Sequence, residues 1–137
     1  MMIKYWLIFF IFCESLVVKG QQSVLKKGDN KKSSQLTEDT VQINSLLRAA
    51  SSFRKNDPQK AIEYTNSAIK IAEKIAFKEG LINAYIEKKK CYFWLNQYQK
   101  SIEAAEKALV YAKEINNPFW LIETNFNLAN SYFTVSD

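Results

Sequence analysis

The chain contains no histidine. That removes the usual general base, the usual proton shuttle and the commonest metal ligand. Glycine is scarce, three in 137 residues, and no glycine-rich phosphate loop is present. Cysteine is scarce as well. Of the two, Cys13 falls in an apolar N-terminal stretch, so cleavage of that stretch would leave Cys91 alone and no internal disulfide. A catalytic thiol would need a basic partner such as histidine, so Cys91 is expected to be a small buried packing residue. No metal-ligand cluster is visible, and Glu63, Glu73, Glu103, Glu106 and Glu114 fall mostly on outward helix faces. No enzyme activity, metal or cofactor is expected.

What is present begins with "MMIKYWLIFFIFCESLVVKGQQ". Lys4 supplies a positive start, Tyr5 to Cys13 is unbroken apolar sequence, and Val18-Lys19-Gly20 offers small residues for cleavage before Gln21. This is the layout of a secretory signal peptide over 1–20, and the run is shorter than the roughly 20 apolar residues that span a bilayer. The chain is therefore expected to be exported across an inner membrane, to a periplasmic, secreted or extracytoplasmic location. Membrane contact is expected only through an uncleaved leader or a helix further downstream.

The formal charge is +5, but its position matters more than its size. The leader has net +1, and Lys26, Lys27, Lys31 and Lys32 against Asp29 give +3. From Ser33 on, 13 basic residues face 12 acidic ones. A nucleic-acid binder concentrates positive charge on its folded face. Here it sits on residues 21–36, a polar stretch without period that reads as a flexible basic linker. No direct nucleic-acid binding is expected. Thr37 is the expected N-cap of the first helix, with Glu38 and Asp39 in its first turn.

Beyond Thr37, strand-like alternation is absent and helical periodicity dominates. "QKAIEYTNSAIKIAEKI" (59–75) is answered forty residues later by "QKSIEAAEKALVYAKEI" (99–115). In the first copy Ala61, Ile62, Thr65, Ala68, Ile69, Ala72 and Ile75 share one face at three- and four-residue steps. Ile102, Ala105, Ala108, Leu109, Ala112 and Ile115 repeat it. Asp57 and Pro58 form a cap and a first-position proline, as do Asn117 and Pro118 before the last helix. Gly80 marks the join between the first helix pair and the second. The fold class is all-α: antiparallel helix-turn-helix repeats stacked as an α-solenoid, about two and a half repeats, over 41–80, 81–120 and a partial 121–137. The repeat domain spans 37–137.

These residues resemble a tetratricopeptide repeat array of an extended bacterial type. Small residues seven apart on each second helix, Ala61 with Ala68 and Ser101 with Ala108, carry the resemblance, as do Ala129 and Tyr132 on a first helix. The family's 34-residue period is stretched to 40, close to one extra turn per helix. In the second repeat Lys89, within Lys88-Lys89-Lys90, stands where the family has a small residue, so one of these lysines has to snorkel. In the first repeat either Ala49 or Ala50 fits that place.

The resemblance implies that the first helix of each pair lines a concave face that holds a peptide or protein segment. Carried across, the lining is Ile43, Leu46 and Ala50, then Asn83, Glu87, Lys90 and Trp94, then Glu123, Asn127, Asn130 and Thr134. The ligand-binding residues expected are Asn83, Glu87, Lys90, Trp94, Asn127, Asn130 and Thr134, with Trp94 as either an aromatic anchor or inter-repeat core. Glu87 and Glu123 argue against a grip on a peptide's terminal carboxylate. A non-catalytic protein-interaction module is the main expectation. The alternative is an extracytoplasmic sensor segment of a bacterial transcriptional regulator or histidine kinase. Phe126, Leu128, Tyr132 and Phe133 lack a following helix in the repeat plan, so the expectation is either that the chain is the N-terminal piece of a longer protein that supplies one, or that it self-associates through this uncapped third repeat.

Overall fold

The computed structural model describes residues 31–136; the expected leader, Cys13 and the linker up to residue 30 lie outside them. Contacts divide the chain into Met1–Thr37 and Glu38–Asp137, and the packed helices belong to the second unit. Helix α1 covers 31–53 among the described residues. It is followed by α2 (Pro58–Lys74), α3 (Lys78–Trp94), α4 (Tyr98–Ile115) and α5 (Pro118–Ser136). The described residues contain helix and turn and no strand.

Residues 31–36, expected to be linker, are helical. Lysine, serine, glutamine and leucine are serviceable helix formers, and no glycine or proline interrupts them. Thr37 is accordingly no cap: its hydroxyl donates to the Ser33 carbonyl one turn back, at 2.9 Å. The other two caps form as the sequence indicates. Asp57 Oδ1 accepts the Lys60 N–H at 3.0 Å with Pro58 opening α2. Asn117 Oδ1 accepts the Phe119 N–H at 2.9 Å with Pro118 opening α5. In both places an orphan donor of the first turn is satisfied and proline removes another.

The three later turns share a device. Ala76, Asn96 and Asn116 all have left-handed backbone, with φ of 54°, 56° and 53°, at twenty-residue intervals. After α2, the Ala76 N–H donates to the Glu73 carbonyl at 3.1 Å and the Phe77 N–H to the Ala72 carbonyl at 2.9 Å. After α3, Asn96 and Gln97 do the same to Phe93 and Tyr92, both at 3.0 Å. These paired bonds satisfy carbonyls that a helix end leaves open. Gly80, expected at a join, lies inside α3 instead. A Cβ there would overlap the Phe77 ring, so the glycine serves close packing and not the turn.

The small-residue seams do what their spacing predicts. Ala61, Ala68 and Ala108 are fully buried and Ser101 nearly so. Ala68, Ile69 and Ala72 of α2 pack with Ile43 of α1 and with Leu81 and Ala84 of α3. Ala108 and Ala112 of α4 pack with Ile82 and Ile86 of α3 and with Trp120 and Leu121 of α5. The approach is close enough for Ser101 Oγ to donate to the Lys89 backbone carbonyl across the α3–α4 seam, at 3.1 Å. α3 is covered from several sides, by α2, α4 and α5.

The repeat is not 40 residues throughout. α2 and α4 start 40 apart, as do α3 and α5. The turn after α1 covers 54–57, however, one residue longer than the turn at 95–97. Fully buried residues on α1 and α3 therefore match at 41: Ile43 with Ala84, and Ala50 with Cys91. At that offset Ala50 stands against Cys91 and Arg48 against Lys89, so neither alanine takes the place of Lys89. Ala50 is the buried small residue and Ala49 is half-buried.

Candidate functional site

α1, α3 and α5 frame two adjoining hollows that share Lys90 and Glu123. The first, about 560 Å³, takes Asn44, Leu47, Arg48 and Ser51 from α1, Asn83, Ile86 and Glu87 from α3, and Phe119 and Trp120 from α5. The second, about 450 Å³, is walled by Arg54, Lys89, Phe93 and Trp94 on one side and Phe126, Asn127, Asn130 and Thr134 on the other. All seven residues expected to bind a ligand line one hollow or the other. Asn83 and Glu87 face the first, Trp94, Asn127, Asn130 and Thr134 the second, and Lys90 both.

The α1 lining differs from expectation. Ile43 and Ala50 are fully buried, and Leu46 packs against the core cluster. The longer first turn shifts α1 relative to α3, and its apolar stripe goes to the core. Asn44, Leu47, Arg48 and Ser51 line the hollow instead, each 39 residues before Asn83, Ile86, Glu87 and Lys90 of α3, so neither a 40-residue nor a 41-residue match finds them.

The electrostatics of the hollows turn on Glu87. Its carboxylate pairs with Arg54, from the turn after α1, and with Lys90 Nζ at 3.5 Å. Both Arg54 and Glu87 side chains are largely buried, which strengthens the pair and fixes its geometry. The three consecutive lysines separate. Lys88 lies on the α4 side, in a hollow with Lys100, Glu103 and Lys107, and its Nζ stands 6.0 Å from the Tyr85 ring centre and 5.9 Å from that of Tyr92, both on α3. Lys90 enters the hollows. Lys89 is buried, 6% exposed, and Nζ reaches Asn127 Oδ1 on α5 at 3.5 Å. Asn127 Nδ2 in turn donates to the Glu123 carbonyl and to Glu123 Oε1, at 2.8 and 3.1 Å. Burial, with Lys90 adding to it, pulls the Lys89 ammonium below the ordinary lysine range.

Counting the charged side chains that line the hollows, Arg48, Arg54, Lys89 and Lys90 stand against Glu87 and Glu123. The expected repulsion of a carboxylate is thus weakened, because Glu87 is already neutralised by two cations and Glu123 is engaged by Asn127. Trp94 is 45% exposed, with Lys55 Nζ 5.6 Å from its ring and Phe93 edge-on at 6.4 Å. It is a wall residue and not inter-repeat core.

Cys91 is fully buried below this surface. Burial first, and then the Glu87 carboxylate, push its thiol up to about 11. A thiol held protonated at neutral pH is a poor nucleophile. No group of three or more acidic or cysteine side chains among the described residues is arranged to hold a metal ion. No helix among them is long and apolar enough to cross a membrane. Compared with known proteins, the chain matches no family model, no curated protein and no solved structure.

Proposed function

We propose that this chain is a tetratricopeptide-like α-solenoid that acts as a non-catalytic protein-interaction module, exported by its leader. It holds a peptide segment in the paired hollows between α1, α3 and α5. The observation that carries the reading is the convergence of polar and aromatic side chains from three successive first helices on one surface. Asn83 and Asn130, both exposed, supply amides that can bond a peptide backbone, and Trp94 with Phe126 supplies apolar wall. The excess of cations over acids favours a segment with acidic side chains, met by Arg48 and Lys90.

The test is selection of peptides from a random displayed library on the purified chain, followed by fluorescence anisotropy with the selected sequences. Trp94→Ala and Lys90→Ala should each weaken binding about tenfold or more, as removal of an interface anchor does. Lys107→Ala, on the α4 side away from both hollows, should leave it unchanged. Equal affinity across all four proteins would sink the proposal.

A further inference from the structure

α5 carries an apolar stripe that faces solvent. Phe119, Phe126 and Phe133 are 64%, 69% and 68% exposed, and Ile122 is 72% exposed. Residues seven apart stand two turns apart and nearly in line on a helix, about 10 Å along its axis. The three phenylalanines therefore make one row, with Ile122, Ala129 and Asn130 exposed beside it. Of the residues of α5 only Glu123 is charged, and it is half-buried beside Asn127.

The row is symmetric about its middle member. Phe119 lies seven residues before Phe126 and Phe133 seven after it. Two copies of such a helix laid antiparallel, with Phe126 on the dyad, bring Phe126 against Phe126 and each Phe119 against the other copy's Phe133. Ile122 of each copy then falls beside Ala129 and Asn130 of the other. This is the self-complementarity that a two-fold interface requires. The slow drift of a seven-residue row around a helix is also what a shallow crossing of two helices follows. Three phenylalanines and an isoleucine, each about two-thirds exposed, offer up to about 500 Å² per copy, or about 1,000 Å² in total, the threshold for a biological interface. No like charges meet along the row.

We infer that α5 is a homodimerisation helix, and that a second copy of this chain covers the Phe119, Phe126 and Phe133 row in an antiparallel, two-fold arrangement. The dimer face shares residues with the peptide-binding proposal, Phe119 with the first hollow and Phe126 and Asn130 with the second, but its test reads mass and cross-links and not peptide affinity.

The test is position-specific cross-linking in a Cys13→Ser, Cys91→Ser background with a short bismaleimide. Phe126→Cys should cross-link to itself. Phe119→Cys and Phe133→Cys should fail alone and cross-link when mixed. Light scattering should give the mass of two chains, and Phe126→Glu should return it to one with an unchanged far-UV circular dichroism spectrum. A mass of one chain without substitution would overturn the inference, whether the row is left bare or is covered by another helix or a different protein. So would equal self-cross-linking at all three positions, the signature of association through another part of the chain.

Discussion

Lys89 on α3 and Asn127 on α5, 38 residues apart in sequence, meet at 3.5 Å inside the protein and tie the two helices together. An ammonium with a neutral amide for its acceptor is costly to bury, because nothing nearby returns the lost hydration in full. Asn127→Leu should leave that ammonium without its acceptor and cost about 1–3 kcal/mol in urea unfolding at pH 7. Lys89→Met with Asn127→Leu should recover most of the loss. A double variant as unstable as the single one would mean that Asn127 acts through Glu123 alone.

The same lysine makes a pH prediction. Its folded-state pKa is lowered by burial, so the charged form is disfavoured in the native state. The cost is fully present below that pKa and is relieved as pH rises through it toward the unfolded value. Lys89→Met should therefore stabilise the protein at pH 7, and its advantage should shrink by pH 10. An advantage independent of pH would assign the effect to packing.

Cys91 behaves in the opposite sense. The folded thiol titrates at about 11 against an ordinary value of 9.0, so between these pH values the native state holds a proton that the unfolded chain has released. Stability should fall as pH rises through that window, by about 1 kcal/mol between pH 9 and 10. The slope should be shallower in Cys91→Ala when unfolding is followed at each pH. Identical slopes would exclude the thiol as the source.

Ala76 holds a left-handed backbone that a Cβ disfavours by roughly 1–2 kcal/mol, while glycine adopts it freely. Ala76→Gly should raise stability by about 1 kcal/mol, or about 4–8 °C in Tm for a domain of this size. Asn96→Gly should gain less, since asparagine tolerates the same conformation. A lower melting temperature for Ala76→Gly would show that its methyl packs more usefully than the turn is strained.

Trp94 is half-exposed, and its contact with Lys55 is worth about 0.5–1 kcal/mol at such a site. Trp94→Ala should cost less than about 1.5 kcal/mol in thermal unfolding, whereas Ile82→Ala, fully buried in the α3–α4 core, should cost about 2–5 kcal/mol. Comparable losses would return Trp94 to the core.

The helical class, the equivalence of α2 and α4, the Asp57 and Asn117 caps and the buried alanine seams were legible in the sequence. Each rests on local spacing: small residues seven apart, a polar cap before proline, apolar residues at three- and four-residue steps. On α3 and α5 the resemblance named Asn83, Glu87, Lys90, Trp94, Glu123, Asn127, Asn130 and Thr134, and it passed over Ile86, Lys89, Phe93, Phe119, Trp120 and Phe126 of the same walls. What the sequence could not decide was anything set by how the helices meet. One extra residue in the first turn moved Ile43 and Ala50 into the core, and the flank that α1 turns to α3 carries Asn44, Leu47, Arg48 and Ser51 on the hollow. The pairing of Arg54 with Glu87, the burial of Lys89 against Asn127 and the exposure of the Phe126 row depend on contacts between helices. A periodic pattern fixes the face a side chain occupies on its own helix, but the neighbour it meets depends on the rotation and offset of the next helix, which only packing settles.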